Sequence, residues 1–463
     1  MNQDTICAIS TPPGTGGVAV IRISGPEAVP ISASVFVPRV KGRGLLTQKA
    51  YTLNYGILCR GDEQIDDVLV SLFRNPHSFT GEDTVEIACH GSVYIQQQIL
   101  RLLIEKGART ALPGEFTQRA FLNGKMDLSQ AEAVADLIAS TSAGMHKLAL
   151  NQMRGGFSRE LNVLRTRLLD FASLVELELD FSEEDVEFAD RAGLKQLAAG
   201  IEKLIKQLAD SFSIGNAVKN GIPVAIIGET NAGKSTLLNL LAGEERAIVS
   251  DIHGTTRDVI EDTINLSGIT FRFIDTAGIR ETTDTIENLG IERTFGKLKQ
   301  SSIVLWVIDL LSSTARIEQF AEIIIPYLEG KQTILAFNKS DLLDAETLAA
   351  KKRLLTGLHA ERVYMSAKKQ ENITQLKDHL IKAAAIPEIR QNDIIITNIR
   401  HYEALTKAHA AILRVSAGLD QNISGDFLSQ DVRECMHYLG EITGHISNDE
   451  ILGNIFERFC IGK

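Results

Sequence analysis

The chain has 463 residues, 44% of them hydrophobic and 23% charged, with a formal net charge of −11. That length calls for two to four domains, each able to bury a core, and the acidic balance disfavours avid nonspecific binding of RNA by the chain as a whole, so that RNA contact needs a local basic patch or a basic partner. No apolar run approaches the roughly 20 residues that span a bilayer, Met1-Asn2-Gln3-Asp4 is no secretory leader, and Cys7, Cys59, Cys89, Cys435 and Cys460 form no C-x-x-C pair, which together predict a cytoplasmic protein without structural zinc or a membrane anchor.

In chain order, residues 1–120 read as short strands and turns. Val18-Ala19-Val20-Ile21-Arg22-Ile23 is one strand and Asp67-Val68-Leu69-Val70-Ser71-Leu72-Phe73 another, with a helix over Ser92 to Glu105. Pro13-Gly14-Thr15-Gly16-Gly17 lacks a following Lys-Ser and leads into a strand, so it is a hairpin turn. Alternation places Arg22 on the face of Val18 and Val20, where a guanidinium needs a carboxylate partner or an anionic ligand. From Leu128 the period lengthens. Ala131, Val134, Ala135 and Ile138 form an apolar stripe, and Leu161, Leu164, Leu168, Phe171 and Leu174 another. Glu176 to Asp190 carries eight carboxylates and no Lys or Arg, a solvated helix and turn. Helical patterning resumes from Leu194 to Leu208 and stops at a strand beginning near Val218. It returns after Thr397 and runs to the end.

The intervening segment carries the chemistry. Gly228-Glu229-Thr230-Asn231-Ala232-Gly233-Lys234-Ser235 follows the apolar Val224-Ala225-Ile226-Ile227 and precedes Thr236-Leu237-Leu238. This is a phosphate-binding loop between a strand and a helix: the glycines let backbone N–H groups curl around phosphates at the positive helix end. Lys234 reaches the outer phosphates and the Ser235 hydroxyl can ligate Mg²⁺. Gly254-Thr255-Thr256-Arg257-Asp258 is a switch segment in which Thr256 offers a second Mg²⁺ hydroxyl. The strand Phe271-Arg272-Phe273-Ile274 ends in Asp275-Thr276-Ala277-Gly278, whose carboxylate can hold the Mg²⁺ shell while the Gly278 N–H senses the γ-phosphate. Asn338-Lys339-Ser340-Asp341 follows another apolar strand. There Asp341 can accept the N1–H and 2-amino donors of guanine, a pair that adenine lacks, and an unpaired buried acid discriminates strongly. Ser366-Ala367-Lys368 suits a backbone contact to the guanine oxygen. These elements in this order predict GTP rather than ATP. Ile279 stands where many GTPases place a water-orienting glutamine, and Glu287 is a further carboxylate in the polar stretch beyond it.

These motifs resemble the MnmE (TrmE) family of tRNA modification GTPases. The likeness continues through Thr11-Pro12-Pro13-Gly14, Arg22-Ile23-Ser24-Gly25, Ser78-Phe79-Thr80-Gly81-Glu82-Asp83, Pro113-Gly114-Glu115-Phe116-Thr117, Ala120-Phe121-Leu122-Asn123-Gly124-Lys125, Gly290-Ile291-Glu292-Arg293 and the terminal Cys460-Ile461-Gly462-Lys463. The resemblance implies a multidomain chain: an α+β, folate-binding N-terminal domain over 1–120, a discontinuous α-helical domain over 121–216 and 387–463, and an inserted α/β P-loop, Ras-like GTPase over 217–386.

By the same resemblance, Ser250-Asp251-Ile252-His253-Gly254-Thr255-Thr256 contacts the nucleotide along with the phosphate loop through Thr236. A potassium ion is held by Asn231 and by Ser250, Ile252 and Thr255, in the place of an arginine finger. Position 250 is often threonine in the family, and serine keeps both oxygens. Glu287 falls on the family's water-orienting carboxylate. The loop begins Gly-Glu-Thr where the family commonly has a proline, which leaves its rigidity open. Arg22, Glu82 and Lys125 fall where the family contacts a tetrahydrofolate, in its 5,10-methylene or 5-formyl form, and Lys463 approaches the same site. Cys460 extends the apolar face of Ile451, Leu452, Ile455, Phe456 and Phe459; it reads as a small core hydrophobe or, by resemblance, as a catalytic thiol. The implied function is a homodimeric, potassium-activated GTPase that joins a flavin-containing MnmG (GidA) type partner in a heterotetramer. Together they would build carboxymethylaminomethyl-uridine at carbon 5 of the wobble uridine of certain tRNAs. The alternative is a GTP-dependent regulatory switch acting on ribosomes or another assembly, in which Arg22, Glu82 and Lys125 are structural.

Overall fold

The computed structural model describes residues 4–40, 42, 44–180, 191–244, 262–274, 296, 298–387, 393–421, 423–446, 449–457, 459 and 462. Period-two alternation in the N-terminal part produces β1 (Ile6–Ile9), β2 (Val18–Ser24), β3 (Phe36–Pro38), β4 (Thr52–Arg60), β5 (Glu63–Phe73), β6 (Thr84–His90) and β7 (Arg109–Thr110). They hydrogen-bond in the order β3-β4-β5-β6-β2-β1-β7, antiparallel except where β1 meets β7. The glycine-rich run Pro13–Gly17 joins β1 to β2. Ile21, Ile23, Val85 and Ile87 share a core with Val29 of α1 (Ala28–Val35) and Leu102 of α2 (Val93–Glu105). The other face carries Arg22, opposite Glu86 in the β2–β6 register. Its far end is open, with Val18 65% and Tyr55 53% exposed. α3 (Glu115–Leu122) follows the sheet.

The helical stripes become α4 (Leu128–Ile138), α5 (Ala143–Met153), α6 (Gly156–Asp180), α7 (Arg191–Asp210) and α8 (Phe212–Asn220). Two expectations are corrected here. Ile138 is exposed rather than part of the buried stripe, which turns inward at Leu128 and Ala131. Val218 does not begin a strand: it lies within α8, buried with Met145 and Leu148, because Ile214 and Val218 at i, i+4 complete an apolar helical face. Gly221, at φ +77°, ends that helix.

The chain then enters an α/β sheet of β8 (Ile222–Ile227), β9 (Asp262–Leu266), β10 (Ile269–Phe273), β11 (Ile303–Asp309), β12 (Gln332–Asn338) and β13 (Glu361–Tyr364), ordered β13-β12-β11-β8-β10-β9. Only β9 against β10 is antiparallel among these pairs. The described helices around it are α9 (Lys234–Glu244), α10 (Thr314–Ile324), α11 (Ala345–Lys351) and α12 (Ile373–Ala384). Near-continuous apolar strands such as Ile303–Ile308 are buried on both faces, as parallel sheets require. α13 (Ile399–Asp420), α14 (Gly425–Thr443) and α15 (Asp449–Phe456) complete the chain.

Two compact units result. One is Met1–Ala135, Gln152–Glu202 and Lys407–Lys463; the other is Asp136–Asn151 and Lys203–Thr406. In the first, α6 packs along α14, and Glu176 of the acidic stretch is held by Arg433 at 2.6 Å. α15 packs on α3, with the Phe121 and Phe456 rings 6.5 Å apart. In the second, α5 and α8 lie against the β9–β10 hairpin: a Cβ on Gly144 would stand 3.6 Å from the Gly268 oxygen, and α8 touches β10. No helix among the described residues is long and apolar enough to cross a membrane.

Candidate functional site

β8 delivers the chain into the 228–235 loop, and α9 begins at Lys234. Two glycines are sterically required. A Cβ on Gly228 (φ +144°) would lie 2.1 Å from the Val307 oxygen, and one on Gly233 (φ +95°) 2.2 Å from Asn338 Nδ2. Asn231 takes φ +63°, a left-handed conformation that asparagine tolerates. Lys234 Nζ donates to the Gly228 and Glu229 carbonyl oxygens at 2.7 and 2.6 Å, lying back along its own loop. The Glu229 carboxylate accepts from Arg316 Nε at 2.9 Å and Ser312 Oγ at 3.3 Å, tethering the loop to α10.

The second loop lies beyond β12. Asn338 is 3% exposed; its Nδ2 donates to the Ala232 oxygen at 2.8 Å and its Oδ1 accepts from the Ala367 N–H at 2.9 Å. One buried amide therefore joins the phosphate loop, the Asn-Lys-Ser-Asp loop and the Ser366-Ala367-Lys368 loop. Lys339 Nζ pairs with Asp309 Oδ2 at 2.6 Å. The Asp341 side chain is 6% exposed and 3.6 Å from Lys369 Nζ. A hydrogen bond from Ser366, with Lys369 nearby, holds its carboxyl below the usual carboxylate range. Ser235 and Thr236 follow Lys234 on α9, and Lys368 is exposed. Ser250, Asp251, Ile252, His253, Gly254, Thr255, Thr256, Asp275, Thr276, Ala277, Gly278 and Glu287 lie outside the described residues.

A second constellation sits on the N-terminal sheet. Arg22 finds its carboxylate in Glu86 at 2.8 Å, and its guanidinium lies 5.3 Å from the Phe79 and 5.6 Å from the Phe116 ring centres. Glu82 accepts from Ser24 Oγ at 2.8 Å and from Arg119 Nη1 at 3.2 Å. Lys125 Nζ donates to the Pro76 oxygen at 2.8 Å. Phe79 brings the Glu82 loop against Arg22, so the 76–84 segment gathers all three. Cys460 and Lys463 lie outside the described residues, but Ser10 Oγ donates to the neighbouring Gly462 oxygen at 3.1 Å, placing that glycine at the end of β1.

Sequence reading missed the charges packed beneath this constellation. Arg109 binds Asp4 and Glu115, each at 2.6 Å. Arg119 binds Asp4 at 2.7 Å and Glu115 at 3.0 Å. The hydrogen bond from Arg109 does most to hold the Asp4 carboxyl low. Burial pushes the Glu115 carboxyl up, but Arg109, the Leu112 N–H and Arg119 more than offset it. Burial likewise disfavours the Arg119 charge, and Glu82, Glu115 and Asp4 overcome it. Glu115 and Arg119 at i, i+4 were the one available local signal.

Family models match the chain at both ends of this description: "GTP-binding protein TrmE N-terminus" over residues 5–125 and "MnmE helical domain" over residues 128–460. It is 62% identical to the tRNA modification GTPase MnmE of Bacteroides thetaiotaomicron over 466 residues, covering 100% of both chains. The corresponding proteins of Parabacteroides distasonis and Flavobacterium johnsoniae are 61% and 53% identical, again over 100% of each chain. With a phosphate loop bonded to the Asn-Lys-Ser-Asp loop, an N-terminal sheet and a helical part all inside those matches, the chain belongs to the MnmE family of tRNA modification GTPases.

Proposed function

We propose that this protein hydrolyses GTP and uses the cycle to modify carbon 5 of the wobble uridine in certain tRNAs, as a homodimer working with a flavin-containing MnmG type partner. The observation that carries the nucleotide reading is the Asn338 amide bonding the phosphate loop to the loop of Asp341. Lys234 would turn from its own loop's carbonyls to the outer phosphates, and Asp341 would accept from guanine N1–H and the 2-amino group. Ser235 and Thr256 suit Mg²⁺. The Asn231 amide has no hydrogen-bond partner among the described residues and suits a potassium ion shared with Ser250, Ile252 and Thr255. Such an ion supplies positive charge beside the phosphates when bound. Glu287 is the carboxylate assigned to orient water, since Ile279 cannot.

Domain limits at 1–120, 121–216 with 387–463, and 217–386 belong to the same proposal, although residue 217 falls within α8. The contact of α5 and α8 with the β9–β10 hairpin, which lies between the switch segment and Asp275, supports coupling of nucleotide state to the helical part. The open sheet face bearing Val18, Leu53, Tyr55 and Leu69 supports self-association.

Arg22, Glu82 and Lys125 are assigned to a tetrahydrofolate, with Lys463 and Cys460 beside them. Lys125 is exposed and keeps donors beyond its bond to Pro76, which suits an anionic folate tail. One observation favours the switch reading: Arg22, Glu82 and Lys125 each already have a partner within the protein. Folate titration separates the two, since the switch predicts no saturable binding and the enzyme predicts its loss in Arg22→Ala. Mass spectrometry of wobble nucleosides from cells lacking the protein tests the whole; unchanged nucleosides would remove the tRNA reading.

A further inference from the structure

We infer that Arg119 is a positioning residue that aims Glu82 into the folate pocket, an inference that rests on the folate reading above. Arg119 is 7% exposed and rises from α3 beneath the 78–84 segment. Its Nη1 lies 3.2 Å from both Glu82 oxygens and donates to the Asp4 carbonyl at 2.9 Å, while Nη2 serves Asp4 Oδ1 at 2.7 Å and Glu115 Oε1 at 3.0 Å. A planar fork can meet three carboxylates in fixed directions, whereas a lysine ammonium is a single point charge on a flexible stem.

The same element grips the segment elsewhere. Asn123 Nδ2, just past α3, donates to the Thr80 oxygen at 2.8 Å. The Lys125 stem lies close enough to Gly81 (φ +77°) that a Cβ there would stand 3.3 Å from it. Those contacts fix the backbone. Among the described residues, Arg119 and Ser24 Oγ, the latter 2.8 Å from Oε2, fix the direction of the Glu82 carboxylate. Arg119 is itself anchored to Asp4, just before β1, so Glu82 is tied both to α3 and to the segment leading into β1. A carboxylate that must meet pterin N–H donors needs its rotamer set in advance, and supporting groups normally do this.

The test is a double-mutant cycle in full-length protein, titrating 5-formyltetrahydrofolate by calorimetry into wild type, Arg119→Lys, Glu82→Gln and the double variant, with thermal unfolding of each. Arg119→Lys should weaken binding roughly tenfold, the size of a lost charge-assisted hydrogen bond, yet cost nothing further once Glu82 is Gln. An equal loss in both backgrounds, or wild-type affinity in Arg119→Lys, would overturn the positioning role and leave the folate reading standing. If Arg119→Lys fails to fold, Arg119→Gln, which retains an N–H donor, replaces it in the same cycle. Absence of saturable binding by wild type would instead overturn the folate reading itself.

Discussion

Asn338 Nδ2 donates to the Ala232 carbonyl at 2.8 Å, while its Oδ1 accepts the Ala367 N–H at 2.9 Å, so three loops converge on one buried amide. Gly233 is the counterpart of this arrangement, since any side chain there would collide with that amide. Asn338→Ala would leave a buried carbonyl and a buried N–H unpaired, each costing about 1–3 kcal/mol. Guanine nucleotide affinity, read by titration with a fluorescent GDP, should fall at least tenfold, by roughly 1.4 kcal/mol or more. Asn338→Asp should not recover the loss, because its second carboxylate oxygen would be buried against the Ala232 carbonyl oxygen. Unchanged affinity in Asn338→Ala would deny the amide its organising role.

On the proposed reading, Asp341 would set the base preference and its pH range. Ser366, then Lys369, keeps the carboxyl below its ordinary value. A depressed carboxylate stays ionised above the unfolded value of about 3.9 and is lost only as pH falls through the lower, folded one. Guanine affinity should therefore be flat from about pH 8 to about pH 5. Ser366→Ala removes the largest cause and should move the acid limb upward. Asp341→Asn presents an amide N–H to the 2-position, so it should lose GTP by about a hundredfold or more and gain xanthosine triphosphate, whose 2-oxo group accepts. Retained guanine preference in Asp341→Asn would sink the base assignment.

The thiols make a separate pH prediction. Burial pushes Cys7 and Cys435 up to about 12 and Cys89 up to about 11. Because the thiolate is the reactive form, native protein at about pH 8 should label at these sites roughly a hundredfold or more slower than unfolded chain, where thiols titrate near 8.5. Their contribution to stability is complete below about 8.5 and erodes as pH rises towards the folded values. Mass spectrometry of iodoacetamide-treated peptides checks this; rapid native labelling of Cys435 would contradict its burial.

What could be read from sequence was what local periodicity encodes. The alternation of Val18 to Ile23 and the three- and four-residue steps of Leu161 to Phe171 became β2 and α6 because each buries one face without long-range information, whereas Leu174 is exposed and Val175 takes its buried place. Val218 failed because an apolar helix runs into an apolar strand with only Gly221 between them. The partner of Arg22 lay 64 residues away, set by antiparallel register that local sequence does not contain. Arg119 looked like any helix cation, since its ties to Asp4 span 115 residues. Glu229, which left the loop's rigidity open, acquires a tether from Arg316, 87 residues on. The partners of these charges are set by tertiary structure, whereas strands and helices are set by sequence neighbours.

The potassium proposal turns on Asn231. At φ +63° the residue sits where most side chains are strained, so Asn231→Ala would confound loss of the amide oxygen with backbone strain. Asn231→Gly avoids this, because glycine enters that region freely and removes only the ligand. GTP turnover by wild type should be at least about tenfold faster in potassium than in sodium at matched ionic strength, since charge placed beside the developing phosphoryl negative charge lowers the barrier. Asn231→Gly should keep its nucleotide affinity, fall to the sodium rate in both salts and lose the distinction between them. Equal wild-type rates in the two salts would remove the ion from the mechanism. Stimulation surviving in Asn231→Gly would leave the ion in place but assign its binding to other oxygens, and the phosphate loop would then act through Lys234, Ser235 and its backbone.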